Sequence, residues 1–162
     1  RRFTFPSRRL LIAVALAAGL AMLFVAAGVQ AGHHEGNQED NGIPRSDRPD
    51  EARVYFISPT DGEETQSPVV VRFGLGGMGV APAGVEKQHT GHHHLIVDAE
   101  LPPSNLPIPK SENYRHFGGG QTEVSLDLAP GTHTLQLILG DHLHIPHDPP
   151  VVSERITITV VE

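Results

Sequence analysis

The stretch Ala129–Asp141, APGTHTLQLILGD, decides the fold. After the turn residues Ala129-Pro130-Gly131, the side chains of Leu135, Leu137 and Leu139 alternate with Thr134 and Gln136. A period of two puts one apolar face toward a core and one polar face toward water, which describes a half-buried β-strand. The same pattern recurs on both sides of it. Val69, Val71, Phe73 and Leu75 share a face while Arg72 takes the other; Val124, Leu126 and Leu128 alternate with Ser125 and Asp127. Near the C-terminus Ile156, Ile158 and Val160 alternate with Arg155, Thr157 and Thr159. Val54–Ser58, His93–Asp98 and Tyr114–Phe117 supply three shorter runs, and turn clusters such as Pro59-Thr60-Asp61-Gly62 and Gly118-Gly119-Gly120 stand between the runs. No stretch from Arg53 onward keeps a 3.6-residue period long enough for a substantial helix.

Seven short antiparallel strands within about 110 residues predict an all-β domain, an immunoglobulin-like or fibronectin-like sandwich. A small β-barrel or jelly roll is the alternative. The parity of the strands places Val71, Phe73, Leu126, Leu137 and Ile158 in the core, and less than about a tenth of residues 53–162 is expected to be helical.

Upstream of this domain the chain changes character twice. Residues 1–31 carry Arg1, Arg2, Arg8 and Arg9 around an uncharged run from Leu10 to Val29, then Val29-Gln30-Ala31. A basic segment, an apolar segment and small residues at minus three and minus one form a secretory signal peptide, with cleavage expected after Ala31. The run is also long enough to remain as an N-terminal membrane anchor. Either way the remainder is exported, to the periplasm or the cell surface. Residues 32–52 hold one large apolar residue, Ile43, among charge, Gly, Asn and Pro, and read as a disordered polar tether leading into the domain at residues 53–162.

Composition narrows the functions open to the exported part. All 19 acidic residues follow residue 31, whereas four of the 12 basic residues precede it, so the remainder is strongly acidic. Nucleic acid and anionic membrane surfaces need a basic face and are excluded as partners; any membrane contact would come only from the N-terminal segment. The chain has no cysteine, which removes thiolate metal sites, cysteine nucleophiles and disulfides. No G-x-S-x-G motif or P-loop accompanies the serines and glycines, so an enzyme is not expected.

Histidine is the exception to this plain composition. Eleven are present, none before His33, and nine lie in the domain. His89, His92, His93 and His94 stand at the start of one strand, His116 ends another, His133 opens a third, and His142, His144 and His147 occupy the following loop. In an antiparallel sandwich alternate connections share an end, so all of these except His133 are expected to meet at one pole. Imidazole is a preferred ligand of Cu(II), Zn(II) and Ni(II). The pair His92 and His94, two residues apart in a strand, presents both rings on one face about 6.5 Å apart at the backbone. His142 and His144 repeat that spacing. A metal set of His92, His94, His116, His142, His144 and His147 is therefore expected, binding copper or zinc, with affinity falling through about pH 6.5 as the rings protonate.

His93 shares parity with Leu95 and Val97 and is expected to cap the core, while His133, after a turn, is expected to be structural. His89 reads equally as a solvated loop residue. Asp98 and Asp141 are candidates for orienting an imidazole. Cleavage after Ala31 would create a Gly32-His33-His34 terminus with a square-planar nitrogen set suited to Cu(II), although a solvated pair is the plainer reading. An envelope partner protein docking on the histidine-rich pole is the alternative to a metal. Copper-zinc superoxide dismutases also carry H-x-H ligands on a sandwich, but their cysteines and spacing are absent here.

The segments VYFISPTDG (54–62), GMGVAPAG (77–84), TGHHHLIVD (90–98), HFGGGQTE (116–123), APGTHTLQLILGD (129–141) and HIPHDPPVVSERITITV (144–160) resemble a bacterial family of exported domains, domain-of-unknown-function family 4399. The resemblance covers nearly all of Val54 to Val161. It implies a compact extracytoplasmic domain with no assigned activity. His92, His93, His94, His116, His133, His144 and His147 fall within the matching motifs, whereas His142 falls where the family is less uniform, which counts against it as a primary ligand.

Overall fold

The computed structural model describes residues 43–162. The expected signal or anchor segment, residues 1–31, and residues 32–42 of the expected tether lie outside the described residues. Within them the chain is all-β, in two sheets, with no helix and hence none long and apolar enough to cross a membrane.

Strands β1 (Arg53–Ser58), β3 (Val69–Gly76) and β7 (Glu123–Leu126) form the smaller sheet in the order β1-β3-β7, both pairings antiparallel. The larger sheet runs β2-β9-β8-β5-β4, from β2 (Glu64–Gln66), β9 (Ile156–Val161), β8 (Gly131–Gly140), β5 (Thr90–Val97) and β4 (Gly79–Val80), with β6 (Tyr114–His116) also paired to β5. All seven runs read from the sequence are strands. Two short strands, β2 and β4, bring the total to nine, and both pair in parallel, with β9 and β5 respectively, where only antiparallel neighbours were expected. Segments of three and two residues have no room to display a hydrophobic period, so nothing in their composition announced them.

Alternation does the rest. Val54 from β1, Val69, Val71 and Phe73 from β3 and Leu126 from β7 meet Leu95 and Val97 from β5, Leu135, Leu137 and Leu139 from β8, and Ile156, Ile158 and Val160 from β9 in one apolar cluster. The five residues expected in the core, Val71, Phe73, Leu126, Leu137 and Ile158, are all buried. Each fully buried side chain of this kind contributes about 1.5–3 kcal/mol through its removal from water, which lets the domain hold together without disulfides.

The larger sheet also has a second covered face. Ile96 from β5 and Ile138 from β8 point away from the main core and pack against Ile108, with Ala99, Tyr114 and Val152 around them. Loop residues 98–113 therefore close over the outer face. Tyr114 Oη donates to the Glu100 carbonyl at 2.8 Å and Asn113 Nδ2 to the Val97 carbonyl at 2.8 Å, which ties that loop down.

The segment leading into β1 was expected to belong to the disordered tether. From Arg45 to Asp47 it is instead laid against the loop after β8: Asp47 and Asp148 form an isolated parallel bridge, and Asp148 N donates to the Ser46 carbonyl at 2.9 Å. Polar composition precludes an apolar core for such a segment, but leaves backbone and charge-assisted bonds open to it.

Candidate metal centre

The alternation of β5 sends Gly91, His93, Leu95 and Val97 toward the main core and His92, His94 and Ile96 to the outer face. Two further rings join the outer pair. Antiparallel register sets His116 of β6 directly opposite His94, and their rings are stacked, 4.9 Å between centroids with planes 3° apart. His144, from the loop after β8, stands edge-on to the others, with centroids 4.9 Å from His92, 5.9 Å from His94 and 4.3 Å from His116.

His92, His94 and His116 each offer a ring nitrogen, and the three nitrogens lie within 4.8 Å of one another. The Nε2 atoms of His92 and His116 are 3.1 Å apart. Nitrogens bound at 2.0–2.1 Å to one tetrahedral zinc stand roughly 3.3–3.4 Å from each other, so this pair, now at hydrogen-bond distance, would open only slightly to take up one ion. Hydrogen bonding within the group is poor. Nδ1 of His92 and both ring nitrogens of His94 are buried with no partner. Such orphaned polar atoms each cost about 1–3 kcal/mol; an ion would take up the one lone pair of the His94 ring, while the His92 Nδ1 stays without a partner if that ring ligates through Nε2.

Electrostatics keep these rings ready to ligate. Burial, aided by the neighbouring rings of His116 and His144, lowers His92 to about 4. His94 falls to about 2 by burial and by the rings of His92, His116 and His144. Burial also lowers His116, with His144 and the Lys110 ammonium adding to the shift. The expectation that these rings protonate near 6.5 therefore fails for the buried pair: without their solvation the charged forms are disfavoured, and the rings stay neutral well below that pH.

Residues 71–161, more than half of the chain, match the family model described as Domain of unknown function (DUF4399). The chain belongs to this family. No curated protein and no solved structure matches it. Within the DUF4399 match lie all four clustered histidines; β1, β2 and the Arg45–Asp47 segment precede it.

The DUF4399 domain treats the remaining candidates differently from the sequence reading. His147 is fully buried but on the other side of β5: its Cε1 would lie 2.9 Å from a Cβ on Gly91, which is in phase with His93 and Leu95, and its Nε2 faces the Thr90 carbonyl at 3.2 Å. The strand itself separates it from His92 and His94. His142 lines a cleft with Arg45, Asp47 and His89 instead of joining the cluster, because H-x-H parity holds only along an extended strand and the chain turns here. The cluster thus lies on the covered outer face of the larger sheet, not at an open loop pole, since only His144 comes from a loop.

His93 does cap the core, its ring tilted 39° against Phe73 with centroids 5.2 Å apart, and burial lowers it to about 4 against the opposing effect of the Gly74 backbone. His133 is structural: its Nδ1 is 2.7 Å from Asp98 Oδ2 and its Nε2 is 2.8 Å from the Ala129 carbonyl. Burial opposes its protonation, but the Asp98 carboxylate and that carbonyl outweigh burial and raise its pKa. Asp98 thus orients a histidine, though not one of the cluster. Asp141 shapes the loop instead, its Oδ1 accepting from Leu143 N at 2.8 Å and Ile145 N at 3.0 Å.

Two glycines escaped the sequence reading. A Cβ on Gly140 would come within 2.6 Å of His94 Cε1, and one on Gly118 within 2.6 Å of His116 Nε2. Both positions make room for an imidazole. The available signal was a glycine ending the Leu-rich strand and another two residues after His116.

Proposed function

We propose that this DUF4399 domain is an exported domain of the periplasm or cell surface that binds one divalent transition metal, copper or zinc, for storage, delivery or sensing. The observation that carries the reading is the convergence of the His92, His94 and His116 nitrogens within 4.8 Å, with both ring nitrogens of the buried His94 lacking any partner. His144 is the fourth ligand. An all-imidazole set suits borderline ions, and no thiolate is present to favour a soft one. The sheet orders β1-β3-β7 and β9-β8-β5, with β6 on β5, support a seven-stranded immunoglobulin-like or fibronectin-like sandwich to which β2 and β4 are additions.

Burial of His92 and His94 favours an ion over an envelope protein docking on the histidines, because a small ion fits beneath the covering loops whereas a protein surface does not. Elemental analysis of the chain purified without a polyhistidine tag tests the reading. One copper or zinc per chain is expected. A chain free of metal that also shows no affinity for either ion in chelator competition would overturn it.

A further inference from the structure

His144 is the one clustered ring carried by a loop, and its backbone is left-handed, with φ of 66°. L-residues other than Gly, Asn and Asp adopt that conformation rarely, and keep it where their surroundings impose it. Asp141 imposes it from inside the loop. Its carbonyl accepts from His144 N at 3.0 Å, its Oδ1 accepts from Leu143 N and Ile145 N, and its own N donates to the Ile145 carbonyl at 2.9 Å.

The other oxygen of that carboxylate is held from outside the loop. Ser46 Oγ donates to Asp141 Oδ2 at 2.9 Å. Beside it Arg45 spreads its guanidinium over the far half of the loop. Nε donates to the Pro146 carbonyl at 3.1 Å, Nη2 donates to the His147 carbonyl, and Nη1 pairs with Asp148 Oδ1 at 3.0 Å. The Arg45 side chain is only 12% exposed. A guanidinium withdrawn from water and bonded on three sides fixes geometry in a way that a solvated surface pair does not.

We propose that Arg45 and Ser46 are positioning residues for the metal centre, a clasp upstream of β1 that holds the His144 loop in the conformation aiming its ring at His92, His94 and His116. The proposal rests on the metal reading above. Three ligands stand on paired strands and are fixed by the sheet, whereas the loop of the fourth is braced by the Ile108 N–H on the His144 carbonyl at 2.8 Å and by a segment outside the DUF4399 match. Affinity is thereby adjustable from residues 45–46 without disturbing the strand-borne ligands: a partner or a pull that lifts this segment frees the fourth ligand and loosens the ion.

The test uses the full chain without a polyhistidine tag, with Zn(II) and Cu(II) affinities read by chelator competition. Arg45→Ala is expected to weaken binding about as much as His144→Ala, by roughly tenfold to a hundredfold, the range found when a group supporting a ligand is lost. Adding Arg45→Ala to His144→Ala is expected to cost nothing further, because both act through one ring. Arg45→Lys should recover only part of the loss, since an ammonium cannot span two carbonyls and a carboxylate. In the metal-free chain, Arg45→Ala should accelerate hydrogen exchange at the His144 and Ile145 amides. Wild-type affinity in Arg45→Ala, or an equal loss with and without the His144 side chain, overturns the proposal. Unchanged exchange at those two amides overturns the clasp even if the wild type binds metal, and a wild type with no affinity for either ion overturns the metal reading together with the positioning role.

Discussion

The two faces of β5 are buried to the same degree by different means. Toward the smaller sheet, His93, Leu95 and Val97 are enclosed by apolar side chains of both sheets; toward the outside, His92, His94 and Ile96 are enclosed by strand β6 with His116 and by loop residues that include His144 and Ile108. On the inner face burial is a source of stability, because apolar area leaves water. On the outer face Nδ1 of His92 and both ring nitrogens of His94 are buried without partners amid other imidazoles, whereas on the inner side the same cost falls on His93 and His147 amid apolar packing. A single strand thus separates what holds the fold from what the fold holds.

The largest expected effect breaks the outer face. Replacing both His92 and His94 by Ala should abolish high-affinity Zn(II) and Cu(II) binding, measured by chelator competition, while the far-UV spectrum keeps its β character. Retained affinity would show that the site lies elsewhere. On the inner side, Leu137→Ala should cost roughly 2–5 kcal/mol in urea unfolding. A loss below about 1 kcal/mol would mean that the inter-sheet face is not the main source of stability.

Gly140→Ala tests the outer face by packing alone, since it adds a methyl against His94 and Ile108 at the end of β8. It should cost about 1–3 kcal/mol through overpacking and weaken metal binding as well. Wild-type affinity in that variant would remove His94 from the ligand set.

For the metal-free chain, the pH dependence follows from burial. His92 and His93 lie near 4 and His94 near 2 in the fold, against about 6.5 when unfolded. Below 6.5 the unfolded chain therefore binds more protons, so the stability associated with neutral rings is complete above that pH and is lost as pH falls to about 4 for His92 and His93 and on to about 2 for His94. The melting temperature should drop across that window; a flat profile would show that these rings are solvated. The smallest effect is expected for His93→Leu. Removing two unpartnered nitrogens from an apolar setting should leave stability nearly unchanged or raise it, and leave metal affinity alone.

Much of this division was legible in the sequence. Parity along extended runs put Leu135, Leu137 and Leu139 inward, assigned His93 to the core, and placed His92 with His94 on one face. His116 was placed beside them only as a strand-end residue, and register completed the pairing. Legibility ended where the chain stopped being extended. Across residues 141–148 spacing no longer predicts direction, so His144 entered the cluster while His142 and His147, read by the same rule, went elsewhere. Arg45 and Ser46 were hidden for another reason: composition reports the absence of apolar side chains, and their bonds are polar.

The short parallel strands β2 and β4 have a consequence beyond their size. Strand β2 occupies Thr159–Val161 of β9 at one margin of the larger sheet, while β4 and β6 divide the free side of β5 at the other, taking residues 90–91 and 94–96. Open margins of this kind recruit strands from neighbouring molecules and seed aggregates. With both margins already occupied by short pieces of its own chain, the histidine-bearing sheet offers another copy no long continuous edge on which to add a strand.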